Sequence, residues 1–153
     1  MGDSMRIDDI NKKILYLLQK DARMTYKDIA RALNRSESTI RDRISIMEDE
    51  GVIKGYSAVI NKEKVGLNCN ARTFAKIDPK NLDMCIRELQ KVESVYQINQ
   101  ISGDHNLEFS IAAMDYDHLR KILKENISPL GINDLTINII MNSIKEEGPI
   151  QIP

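Results

Sequence analysis

The stretch that decides the fold is residues 36–60, SESTIRDRISIMEDEGVIKGYSAVI. Its first half sets Ile40, Ile44 and Met47 at steps of four and three, which is one face of a helix. Ser36 stands where a helix start needs a side-chain acceptor for its free amides, and Gly51 where the end needs a left-handed exit. The second half changes pattern. Val52-Ile53, the Lys54-Gly55 pair and Tyr56-Ser57-Ala58-Val59-Ile60 predict a small β-wing. A capped helix with such a hairpin behind it is the second half of a winged helix-turn-helix.

The first half lies just upstream. Thr25-x-x-Asp28 predicts a capped helix with Ile29, Ala30 and Leu33 inward and Asn34 at its exit. Before the break Ala22-Arg23-Met24, the apolar series Ile7, Ile10, Ile14, Leu17, Leu18 predicts a helix from about Asp8 to Asp21. Residues 5–60 are therefore expected to form a winged helix-turn-helix domain. Met1 to Ser4 precede a second methionine, Met5, as an alternative start or added residues, and stand outside this fold.

Downstream, residues 61–68 carry alternating charge, Gly66 and little apolar content, as a linker does. Residues 69–147 then alternate between the two periods. Cys69 to Asp78 reads as a strand with Thr73, Ala75 and Ile77 on one face and Arg72, Phe74 and Lys76 on the other. Asp78-Pro79 opens a helix with the stripe Leu82, Ile86, Leu89. Val95 to Ile101 and Leu107 to Ala113 are strands joined by the turn Ser102-Gly103-Asp104-His105-Asn106. Asp115 caps a helix with Leu119, Ile122 and Leu123, Pro129 and Gly131 end it, and Leu135 to Ile144 is a last strand. The order β-α-β-β-α-β predicts an α+β, ferredoxin-like domain, an antiparallel four-stranded sheet with both helices on one face. Branched and aromatic residues (Val95, Ile98, Ile101, Leu107, Phe109, Ile111) are expected on both sheet faces, so the uncovered one calls for a second copy of the chain.

Composition narrows the function. At 42% hydrophobic and 29% charged the chain is globular. No apolar run approaches the ~18 residues that span a bilayer, and no secretory leader is visible, so a cytoplasmic protein without membrane contact is expected. Cys69 and Cys85 with two histidines, His105 and His118, fit neither a disulfide scaffold nor a zinc site, and buried thiols are the expectation. No metal or cofactor is expected. A net charge of −1 argues against a general nucleic-acid coat, but residues 20–46 hold seven basic residues against four acidic.

That local excess falls on the helix-turn-helix. With Ile40, Ile44 and Met47 inward, Glu37, Ser38, Arg41, Asp42 and Ser45 face outward and Arg43 stands at the flank. The start of such a helix meets base edges in the major groove, where Ser38 and Arg41 can hydrogen-bond, Arg in bidentate fashion to guanine. Ser36, Thr39 and the amides beside them can meet a phosphate. Arg31, Arg35, Arg43 and Lys54 are candidates for phosphate contact, and Tyr26 and Lys27 stand near. An ordinary solvated face is the alternative, and Glu37 and Asp42 favour it because they repel phosphate.

The arrangement resembles the Lrp/AsnC, or feast/famine, transcription regulators over about Ile7 to Glu147. The stretches that carry the resemblance are IDDINKKILYLLQKDARMTYKDIARAL, SESTIRDRISIMEDEGVIKGYSAVI with the following NKEKVGL, ISGDHNLEFSIAAMDYDHL and LTINIIMNSIK. The resemblance implies a sequence-specific regulator of double-stranded DNA, a homodimer assembling into higher even oligomers. It also implies a C-terminal domain that binds a small effector, often an amino acid. The family carries a glycine followed three residues later by an aspartate where this chain has Gly103 and Asn106, and His105 stands where an aromatic is common. Gly103, Asp104, His105 and Asn106 are thus the expected effector site, with Asp104 supplying the charge that Asn106 lacks. The plain alternative is a good hairpin turn.

Two other functions stay open. A DNA-binding architectural protein would have no effector. A ferredoxin-like hydrolase of acylphosphatase type would use Arg72 and an asparagine, but the glycine-rich anion loop it needs after the first strand is missing. No phosphate loop, nucleophile elbow or HExxH pair occurs, and a non-enzyme is expected.

Overall fold

The computed structural model describes residues 7–132, 134–146 and 148–153; Met1 to Ser4 and the second methionine lie outside the described residues. The chain forms two units, Met1–Val59 together with Lys145–Pro153, and Ile60–Ile144.

The first unit is built on three capped helices. Asp8 accepts the Asn11 amide at 2.8 Å and starts α1 (Asp9–Lys20). Thr25 accepts the Asp28 amide at 3.1 Å and starts α2 (Tyr26–Leu33), which leaves through Asn34 at φ 51°. Ser36 accepts the Thr39 amide at 3.2 Å and starts α3 (Glu37–Asp49). Each such cap is worth about 1 kcal/mol. The apolar faces close on one another, with Ile14, Ile29, Ile40 and Met47 fully buried and Leu15, Ala30 and Ile44 nearly so.

The expected wing is not formed as strands. Residues 52–60 run without regular structure, anchored early by the Ile53 amide on the Met47 carbonyl at 3.0 Å. Val59 and Ile60 are exposed. A two-stranded ribbon buries too little to stand alone, and among the described residues no further strand lies beside this one.

The C-terminal residues complete this unit. Ile152 packs against the helical core, and Gln19 on α1 bonds both backbone groups of Ile150.

The second unit has the predicted order: β1 (Cys69–Lys76), α4 (Pro79–Leu89), β2 (Val95–Gln100), β3 (Leu107–Ala113), α5 (Tyr116–Ile122) and β4 (Asp134–Ile139). The sheet runs β2-β3-β1-β4, and every neighbouring pair is antiparallel. The last strand ends at Ile139, five residues short of the expected Ile144, and α5 continues as one wide turn, Leu123–Ile127, then a tight one, Ser128–Leu130. The linker region is an ordered turn, with Glu63–Val65 helical, Gly66 at φ 86° and the Leu67 amide on the Lys62 carbonyl at 2.8 Å.

One expectation about the sheet is corrected. Register puts Val95 beside Ile111 and Ile98 beside Phe109, so with Leu107 these residues share a single face, the one the helices cover. A bulge at Tyr96 makes this possible, because it shifts β2 by one residue and returns Ile98 to the core side. The open face is instead mostly polar, carrying Arg72, Phe74 and Lys76 on β1, Glu108 and Ser110 on β3, and Thr136 and Asn138 on β4. Phe74 is its one large apolar side chain among these. Cys69 and Cys85 are buried free thiols, and burial raises both above the usual thiol range.

Candidate nucleic-acid interface and effector loop

Helix α3 presents a mostly polar outer face because Ile40, Ile44 and Met47 fall in one buried stripe, with Ile46 the exposed apolar exception. Glu37, Ser38, Arg41, Asp42 and Ser45 are all exposed. At its start, the Ser36 hydroxyl lies 3.1 Å from that of Ser38 and 2.7 Å from that of Thr39. These hydroxyls surround amides that the helix itself leaves free, an arrangement that accepts an anionic oxygen.

Arg41 is held but not hidden. Its Nη2 lies 3.1 Å from Glu37 Oε1 one turn earlier, and its guanidinium sits 5.4 Å from the ring centre of Tyr26. Tyr26 thereby steers an α3 arginine from the start of α2. An exposed pair of this kind is worth well under 1 kcal/mol, so Arg41 can exchange Glu37 for a base edge. Arg31, Arg35 and Lys54 are exposed; Arg35 donates to the Asn34 carbonyl at 3.0 Å, and neither Arg31 nor Lys54 has an ion-pair partner among the described residues.

Arg43 differs from the expectation. Its Nη1 donates to Asp8 Oδ2 at 2.7 Å and to Asn11 Oδ1 at 2.9 Å, tying α3 to the start of α1. Nη1 committed this way braces the helices, and the guanidinium keeps further N–H donors on Nε and Nη2 for a phosphate. The Asn11 amide, then Arg43, hold the Asp8 carboxyl below its usual range. Asn11 is almost fully buried, and its position inside the stripe Ile7, Ile10, Ile14 was the available signal for an inward partner. Tyr56 also lacked any sequence signal. Its hydroxyl donates to Glu48 Oε1 at 2.8 Å and fastens residues 52–60 to the end of α3.

The loop Ser102–Asn106 separates its four candidates. Gly103, at φ 117°, and Asp104 are exposed. His105 turns onto the open sheet face, its ring centre 6.3 Å from that of Phe74 and its Nε2 3.7 Å from Asp134 Oδ1. That Nε2 is buried and has no hydrogen-bond partner among the described residues. Asn106 serves the fold: its Nδ2 donates to the Ile77 carbonyl at 2.8 Å, and its Oδ1 accepts the Ile77 amide at 2.9 Å. Each end of the amide is thus engaged once by Ile77, which leaves one N–H and one lone pair of Asn106 for another partner. Arg72, the residue a hydrolase would need, has Nε 2.8 Å from Glu108 Oε1. The N–H is not aimed at that oxygen, so this is an ion pair by distance while Oε1 lacks a hydrogen bond.

Comparison with known proteins agrees with both halves. Residues 7–54 match the family described as winged helix-turn-helix DNA-binding, and residues 72–150 match the Lrp/AsnC ligand binding domain. The transcriptional regulator LrpA of Pyrococcus horikoshii is 33% identical over 91% of this chain and 99% of its own length. The regulator Ptr1 of Methanocaldococcus jannaschii is 28% identical over 92% and 95%. Among solved structures, AsnC of Escherichia coli superposes with a TM-score of 0.87 at 19% identity, covering 94% of this chain and 98% of that one. A Neisseria meningitidis transcriptional regulator solved as an L-Met complex superposes with a TM-score of 0.88 at 19% identity, covering 97% of each.

Proposed function

The chain belongs to the Lrp/AsnC family of transcriptional regulators, and from that premise we propose that it reads a pseudo-palindromic DNA site as a homodimer. The observation that carries this is the outer face of α3, where Ser38 and Arg41 stand exposed beside the hydroxyl cluster of Ser36 and Thr39. Ser38 and Arg41 read base edges; Ser36, Thr39, Arg31, Arg35 and Lys54 hold phosphates. Glu37 holds Arg41 until DNA displaces it, and Asp42 discourages wrong registers. The two copies meet through their sheet domains, with Phe74 at the centre of the open face, and higher even oligomers follow from contacts between dimers. Selection of bound sequences from a random DNA pool tests this. Paired half-sites with centres about one helical turn, ~10 bp, or a multiple apart are expected. Single asymmetric sites bound by monomers would overturn it.

For the effector, a neighbouring structure holds L-methionine, and an amino acid is the chemistry proposed here. Gly103 lets backbone amides approach the carboxylate, and Asp104 pairs with the ammonium. The engagement of Asn106 by the Ile77 backbone supports a second reading, a DNA-binding architectural protein without effector. Mobility shifts with and without a panel of twenty amino acids (about 1 mM each, in the range of weak binding) separate the two.

A further inference from the structure

The segment after β4 turns back and joins the DNA-binding unit. The chain leaves that unit at Val59 and returns at Lys145. On return, the Ile150 amide donates to Gln19 Oε1 at 2.7 Å and the Ile150 carbonyl accepts from Gln19 Nε2 at 3.2 Å. A side-chain amide thus satisfies both backbone groups of one residue. Two residues on, Ile152 packs against the core that includes Ile10, Leu17 and Leu18. The receiving face of α1 is Lys12, Lys13, Tyr16 and Gln19, at steps of one, three and three, which is the face left over once Ile14 and Leu15 are buried. Lys20 Nζ lies over the Tyr16 ring at 4.4 Å.

We propose that this face of α1 is a docking surface for the chain's own C-terminal segment, residues 149–152, and that the docked segment is a second tether that fixes the aim of the DNA-reading helix. The physical case is one of freedom. Units joined by one linker swivel unless a large interface holds them. A second attachment closes a ring through the sheet domain, and each docked end holds the other at high effective concentration. The bonds to Ile150 are independent of its side chain, which is 72% exposed, so the backbone and Ile152 carry the recognition. The role in aiming rests on the dimeric reading proposed above; the docking itself does not.

Two arms keep these apart. In the first, a full chain stopped after Gly148 is melted with and without the hexapeptide of residues 148–153. Truncation should lower the melting temperature by at least about 4 °C, and excess peptide should restore it. Peptide binding should be lost in the truncated chain carrying Gln19→Ala. In the second, wild type and truncated chain bind DNA with half-sites in phase and half a helical turn out of phase. Wild type should prefer the in-phase site about tenfold or more, and truncation should reduce that preference to about threefold or less, because a swivelling reader tolerates both. An unchanged melting temperature with no peptide binding overturns the docking. A truncated chain that keeps the wild-type phase preference overturns the tether. A wild type with no phase preference overturns the dimeric reading and the aiming role with it, while the peptide arm still decides docking.

Discussion

The side chain of Asn106 and the backbone of Ile77 form a closed two-bond pair, at 2.8 and 2.9 Å, across the end of the sheet. The pair lies just beyond Ala75 and Leu107, the last registered partners of β1 and β3, beside the Asn106 amide that donates to the Ala75 carbonyl at 3.1 Å. Asn106→Asp keeps an acceptor for the Ile77 amide but sets a carboxylate oxygen against the Ile77 carbonyl. It should cost about 1–3 kcal/mol of stability at neutral pH, measured by urea unfolding. A loss below about 0.5 kcal/mol would show that the pair does not hold the loop.

Arg41 and Arg43 lie two residues apart and should respond differently. Arg41→Ala removes an exposed side chain whose partners are Glu37 and the Tyr26 ring. It should leave the melting temperature within a few degrees, cost about 1–3 kcal/mol on the best DNA site and relax preference at one base position. Arg43→Ala leaves Asp8 and the nearly buried Asn11 without their partner. It should destabilise the first unit by about 1–2 kcal/mol and weaken all DNA sequences alike. Binding assays on a mutated-site panel, read beside thermal melts, check both. Sequence relaxation in Arg43→Ala with none in Arg41→Ala would reverse the assignment.

These two arginines show how far sequence reading carried. Period and caps are local, so Thr25, Ser36, Asp78 and Asp115 were legible as helix starts and accept amides there. For the first helix Asp8 and Asp9 were equal candidates, and Asp8 takes the role. The inward set of α3 was legible for the same reason. Arg43 was not, because its partners lie 32 and 35 residues away and charge alone says nothing about which way a guanidinium turns. The face assignment of β2 failed because a bulge at Tyr96 inverts alternation midway, and alternation is all that a sequence offers. Gln19 on a helix surface and Ile150 near the terminus carry no mutual signal, since the recognition is between a side chain and a backbone.

Asp8 makes the stability of the first unit depend on acid pH. The Asn11 amide, then the Arg43 guanidinium, hold its carboxyl below the usual 3.8. A folded value below the unfolded one means this contribution is fully present above pH ~4 and is lost as pH falls through the folded value. Its side chain is half exposed, so solvent screens the ion pair and the cap carries most of the effect. Asp8→Ala should cost about 1 kcal/mol at pH 7, with the difference from wild type shrinking below pH 4. Melts from about one unit below the ordinary carboxylate value to about three units above it should show the two curves converging. A gap that stays constant to the lowest pH would mean that the charge contributes nothing.

Tyr56 gives the alkaline counterpart and the test of whether residues 52–60 are anchored to α3. Partial burial of this half-exposed residue first, then the hydrogen bond to Glu48, raise its hydroxyl to about 12 from an ordinary 10.0. The neutral phenol is the form the fold favours, so its contribution is present below pH 10 and lost as pH rises through about 12. The chain has five tyrosines, and the difference in tyrosinate absorbance between wild type and Tyr56→Phe isolates this one. The difference curve should have its midpoint well above 10 in rapid pH jumps that precede unfolding. Glu48→Gln keeps an acceptor but removes the charge, and should bring the midpoint down without returning it to 10, because burial is the larger cause. Tyr56→Phe itself should cost only about 0.5 kcal/mol, as befits a surface hydrogen bond. A difference curve centred at 10 would mean that Tyr56 is free in solution and that the segment after α3 is not fastened to Glu48.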